Sequence, residues 1–145
     1  MKLKTLVVEE KIAINKDDII TFEKGLYGFE SIKNYIIIDN QENPFKWLHA
    51  TDDEVCFVIL DPRHVDESYD FEVDDQMLHF LGADETTEFL LFCIVVIPEE
   101  IKDMTINLKS PIIINKSNNK AIQLILDEEQ YAVKHKIVSE IMKGT

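Results

Sequence analysis

The chain is poor in the residues that mark catalytic and nucleic-acid-binding proteins. Arg63 is its only arginine, no cluster of lysines accompanies it, and the net charge is -13 over 145 residues. Phosphate backbones are held by Lys and Arg side chains that release counterions, so this composition argues against direct nucleic-acid binding. There are only two cysteines, Cys56 and Cys93, both inside apolar runs and without CxxC spacing. They read as reduced, buried thiols rather than a disulfide or a metal site. His49, His64, His79 and His135 are scattered, and none has a second His three or four residues on. No metal and no cofactor is therefore expected. Serine is scarce too, and Ser31, Ser68, Ser110, Ser117 and Ser139 all lie outside a G-x-S-x-G elbow. The longest strongly apolar run, Phe89–Ile97, has nine residues. A membrane helix needs about 20. The opening Met1–Lys11 carries no apolar signal-peptide core. A cytoplasmic protein with no membrane contact is the expectation.

Against these absences stand eight Phe and an apolar content of 46%. That is enough for one cored domain spanning 1–145. Short β-prone runs dominate: Leu3–Val8, Ile12–Ile14, Ile19–Phe22, Tyr35–Ile38, Trp47–Ala50, Val55–Leu60, Phe89–Ile97, Ile112–Ile114 and Ala121–Leu126. They are β-branched and separated by Asn, Asp and Pro, as strands are. Several are continuously apolar, which predicts cover on both faces. Tyr69–Val73 alternates and predicts a strand with one wet face. Helix is limited to a short segment through Met77–Leu81, capped by Asp74 or Asp75 and stopped by Gly82, and a terminal helix over Gln130–Lys143. The fold class is mainly β: a small single-domain β-barrel-like fold with one or two short helices.

Carboxylates come in pairs, at Asp17-Asp18, Asp52-Asp53, Asp74-Asp75, Glu99-Glu100 and Glu128-Glu129. Most fall where Asp and Glu serve turns and helix caps. One alternative remains open on residues alone. A small β-barrel hydrolase or carbohydrate-binding domain would use one such pair across a cleft. No catalytic residue stands out. The acidic surface either keeps the protein soluble or steers basic partners towards it.

The stretch Phe22-Glu23-Lys24-Gly25-Leu26-Tyr27-Gly28-Phe29-Glu30 sets two glycines among large apolar residues. Ordinary surface turns draw on Asn, Asp and Ser. Here Phe22, Leu26 and Phe29 are expected to anchor a bend, leaving Tyr27 most free. Four further segments follow in order: Asn43–Ala50, Val58–Pro62, Thr105–Asn115, and Gln123–Leu126 leading to Tyr131. Together they resemble the flagellar assembly factor FliW family over essentially the whole chain. The F-x-x-G-L-x-G-F-E and N-L-x-x-P-I-x-I-N blocks are the specific ones. Leu48-His49-Ala50 and Lys134-His135-Lys136 depart from the Leu-Gln-Ser and Lys-His-Pro usual at those places.

The resemblance implies a β-barrel-like domain without catalytic activity, a monomer when free. It implies two partners that compete. One is flagellin, which the family chaperones in the cytoplasm. The other is the translational repressor carbon storage regulator A, which it antagonises allosterically to relieve repression of flagellin synthesis. Candidate apolar contacts are Leu26, Tyr27, Phe29, Phe45 and Trp47, with burial in the core as the opposing reading. Candidate acidic contacts are Asp70, Glu72, Asp74 and Asp75, with Asp127, Glu128 and Glu129. Asn107 and Asn115 bracket Pro111 and read as structural pins, with recognition by Asn107 as the lesser alternative.

Overall fold

Nine strands account for most of the regular structure in the computed structural model, which describes residues 15–39 and 42–137. In chain order they are β1 (Ile20–Phe22), β2 (Asn34–Asp39), β3 (Lys46–Ala50), β4 (Cys56–Leu60), β5 (Phe89–Val96), β6 (Thr105–Ile106), β7 (Ile112–Asn115), β8 (Lys120–Gln123) and β9 (His135–Lys136). The sheet runs β4-β3-β2-β1-β8-β7-β5-β6-β9, and β4 also pairs with β5. That pairing, Val58↔Val95 to Leu60↔Cys93, closes seven strands into a barrel. Closure removes sheet edges that would otherwise pair with other chains. One joint is parallel: β1 meets β8 at Thr21↔Lys120 and Phe22↔Ala121.

The alternation of each strand sorts its side chains between the barrel interior and the outer face. Phe22, Tyr35, Leu48, Ile59, Phe92, Ile112 and Ile114 fill the barrel interior. The Phe22 and Tyr35 rings meet edge to face, with centroids 5.4 Å apart. Outside the barrel, Cys93, Val95 and Ile106 pack with Tyr69, Leu108 and Tyr131. A third cluster sets Ile113 and Ile122 against Leu81, Met77 and Phe80. So β5 and β7 are apolar on both faces because both faces are covered.

The outer layer comes from the segment between β4 and β5. Its one α-helix, α1 (Asp75–Phe80), starts at Asp74, whose side chain accepts a hydrogen bond from the Met77 N–H. The chain leaves α1 through Gly82 at φ +66°. Asn115 pins this layer to the barrel: fully buried, it donates to the Leu81 carbonyl at 2.8 Å and accepts from Ser117. Tyr69 does the same with a 2.6 Å bond to the Leu108 carbonyl.

Two expectations are corrected. Tyr69–Val73 is extended but joins no strand, because its alternation reflects packing of Phe71 and Val73 onto the outer clusters. The helix expected over Gln130–Lys143 is not present across residues 130–137, which form turns and β9, paired with β6 at Thr105↔Lys136. Residues 138–143 of that helix, and the strands expected at Leu3–Val8 and Ile12–Ile14, lie outside the described residues.

The Phe22–Glu30 stretch is a tight double bend. The Gly25 N–H donates to the Phe22 carbonyl, and the Phe29 N–H to that of Leu26. Gly25 sits at φ +66°, and a Cβ there would lie 2.6 Å from the backbone of Glu30. The position accepts no side chain. Leu26, expected among the apolar presenters, is 1% exposed and belongs to the barrel interior.

Candidate functional site

The site begins where β1 and β8 part company. Up to Ala121, β8 lies between β1 and β7. After Phe22 the chain turns away through Gly25, and β8 runs on as a segment that, among the described residues, is bonded on one side only. The Leu124 and Leu126 N–H groups donate to the carbonyls of Pro111 and Lys109, at 2.9 and 2.8 Å. The loop that has turned away is tied back by Gln123, whose Oε1 accepts the Tyr27 N–H at 3.0 Å. Lys24 crosses to α1, with its ammonium 4.9 Å from the centre of the Phe80 ring.

Two connected hollows result, sharing Met77, Leu124 and Ile125 in their walls. One, of about 330 Å³, is walled by Lys24, Tyr27, Glu30 and Gln123. The other, of about 300 Å³, is walled by Glu72, Val73, Asp74, Leu126, Asp127 and Glu128. Together they form one groove, apolar in its floor and acidic at one end. Tyr27 and Ile125 are 55% and 56% exposed on its flanks, a large apolar area to leave in water.

Of the residues singled out from the sequence, the fold brings Tyr27, Glu72, Asp74, Asp127 and Glu128 to this groove. Asp75 faces a separate hollow beside Leu78 and His79. Asp70 and Glu129 are exposed but line neither half, and the Asp70 backbone is clasped by the Tyr131 hydroxyl. Phe29 is 38% exposed and leans its ring edge-on to Phe57, 5.1 Å between centroids. Phe45 and Trp47 are half-buried away from the groove, Phe45 against the outer core. Asn107 spends its side chain on the Lys109 N–H and its own N–H on the Ile94 carbonyl. It holds a turn.

Met77, Leu124 and Ile125 were not among the expected site residues. Alternation carried the one usable signal: Leu124 and Leu126 face the outer cores, so Ile125 between them must face elsewhere. A larger opening of about 560 Å³ lies at the barrel mouth, walled by Ile20, Ile37, Leu90, Phe92 and Ile114. It contains none of the expected site residues; its rim carries Asp17, Asp18, Asp39 and Lys46, and Lys46 is paired with Asp39 at 2.6 Å.

Several carboxylates outside the groove are occupied with local structure. Asp61 accepts from the Arg63 N–H and Asp66 from Ser68. Bonds from the Thr86 hydroxyl and N–H hold the Asp84 carboxyl below its usual range, and bonds led by the Gly28 N–H do the same for Glu30. A general acid needs the opposite shift. Burial pushes the Cys93 thiol up to about 12, which leaves it unreactive.

Comparison with known proteins agrees with this architecture. A family model described as "FliW protein" matches residues 5–137. The flagellar assembly factor FliW of Thermoanaerobacter pseudethanolicus is 48% identical over 133 residues, covering 90% of this chain and 89% of that protein. That of Caldanaerobacter subterraneus subsp. tengcongensis is 46% identical over the same length and shares. A crystal structure of the flagellar assembly factor FliW superposes with a TM-score of 0.80 at 29% identity, covering 86% of this chain and 89% of that one. This chain belongs to the FliW family, non-enzymatic proteins of flagellar assembly.

Proposed function

We propose that this chain is a cytoplasmic regulator that exchanges two protein partners at the acid-ended groove. It chaperones flagellin and, once released, binds carbon storage regulator A, antagonises it allosterically and relieves repression of flagellin synthesis. The chain acts as a monomer when free. The observation that carries the reading is the convergence of Tyr27, Ile125 and Met77 with Glu72, Asp74, Asp127 and Glu128 on one surface. An apolar floor suits the amphipathic segments of a secreted filament protein. The acidic end, in a chain of net charge -13, suits a basic RNA-binding repressor and speeds its encounter.

A competition titration tests the reading. Flagellin added to a preformed complex of this chain with the repressor is expected to release the repressor. Failure of either partner to bind at micromolar concentration contradicts it. Association with the repressor is also expected to slow as salt rises, because the field is screened over roughly 8 Å at physiological ionic strength.

A further inference from the structure

The groove has a feature that side-chain chemistry alone does not use. Along an extended chain, successive residues point their N–H and C=O groups to opposite sides. The Leu124 and Leu126 N–H groups point to the 109–111 segment and are bonded there. The N–H and C=O of Ile125 therefore point the other way, into the space that β1 vacates after Phe22. Among the described residues they have no hydrogen-bond partner. On the facing bank the backbone of Glu72 and Val73 is also without a partner among the described residues. Ile125 is 56% exposed, so nothing described covers this edge.

We infer that the continuation of β8 through Ile125 receives an added β-strand from a basic, extended segment of a protein partner. The incoming backbone bonds to the Ile125 N–H and C=O and restores the pairing that β1 gives up. Alternate apolar side chains settle on Met77 and Leu124. Intervening Lys or Arg side chains reach Glu72, Asp74, Asp127 and Glu128, four carboxylates in a wall that contains no Lys or Arg. Charge complementarity selects this occupant over an acidic or purely apolar strand. The inference rests on the reading of the chain as a partner-binding protein and specifies how one partner docks.

The test uses the full chain and four synthetic peptides with capped ends. The first is an eight-residue lysine–valine alternation. The second and third are the same peptide N-methylated at its valines or at its lysines, one for each edge. The fourth is a glutamate–valine alternation. The lysine peptide is expected to bind and to slow hydrogen exchange of the Ile125 amide more than tenfold at saturation. N-methylation on the pairing edge should weaken binding at least tenfold, and the glutamate peptide should bind at least tenfold more weakly. Binding that leaves Ile125 exchange unchanged, or that tolerates N-methylation on both edges, overturns strand addition. Equal binding of the glutamate peptide overturns the charge assignment. No binding of the lysine peptide overturns the inference as a whole. The competition between flagellin and the repressor is measured on the intact proteins, so its outcome is separate.

Discussion

The two halves of one strand segment make the most instructive comparison in this molecule. Residues 121–123 are buried, with β7 on one side and, at Ala121, β1 on the other. Residues 124–127 continue in the same direction but, among the described residues, keep hydrogen bonds on one side only, and Ile125 is 56% exposed. A single event separates the halves, the turn of β1 at Gly25. The first half is fold, and the second leaves an exposed edge at Ile125 while Leu124 and Leu126 still pack on the outer cores. Changes at the first should therefore cost stability. A change at Ile125 should cost binding and little else.

The largest expected effect tests the closed half. Phe22 pairs beside Ala121 and is fully buried against Tyr35. Phe22→Ala should destabilise the protein by about 3–5 kcal/mol, read as a lower midpoint in chemical denaturation. A loss under about 1 kcal/mol would mean that the seam collapses around the cavity, and the contrast would weaken.

Next comes the turn that separates the halves. Gly25→Ala places a Cβ 2.6 Å from the Glu30 backbone at φ +66°. Left-handed backbone alone costs about 1–3 kcal/mol, and the clash adds to it. Gly28→Ala meets open space at φ +87°, so it should cost less than Gly25→Ala in the same denaturation series. Equal costs would show that the close approach to Glu30 is not what shapes the bend.

Smaller effects appear on the pH limbs of stability. The folded Cys93 thiol is pushed up from its ordinary 9.0 to about 12, chiefly by burial. Its contribution is full below pH 9 and declines as pH rises, because the unfolded chain releases that proton first. Cys93→Ala should flatten the alkaline limb between those two values. The Glu30 carboxyl is held below its ordinary 4.5, chiefly by the Gly28 N–H. Its contribution is present above that value and fades as pH falls through the lower folded one. Glu30→Gln should flatten the acid limb slightly, because the group lies in solvent. An unchanged acid limb would remove Gly28–Glu30 from the forces holding the bend.

How much of this was visible beforehand follows from what each signal reports. β1–β5, β7 and β8 were legible as β-branched runs between turn residues, and α1 was legible from Asp74 and Gly82. β6 and β9 span two residues each, too short for any periodicity. Tyr69–Val73 alternates because one side packs, yet alternation does not say whether a neighbouring strand exists. Ala121–Leu126 reads as one strand throughout. Its end is exposed because Gly25, about 100 residues earlier, takes β1 elsewhere. The acidic part of the groove was anticipated in Glu72, Asp74, Asp127 and Glu128. Its apolar floor was not, since Met77, Leu124 and Ile125 meet only through the tertiary fold.

Charge reversal sharpens the contrast if the residue is chosen with care. Asp74 caps α1, so Asp74→Lys would also lose about 0.5–2 kcal/mol of stability. Asp127 and Glu128 flank the same groove outside any helix, so reversing them tests charge alone.

The most direct measurement pairs stability with binding in one variant, Ile125→Asp. Its stability in chemical denaturation is expected within about 0.5 kcal/mol of the parent. The account also predicts at least a tenfold loss of repressor affinity, about 1.4 kcal/mol. Unchanged affinity in a variant of unchanged stability would contradict the assignment of this groove as the binding surface.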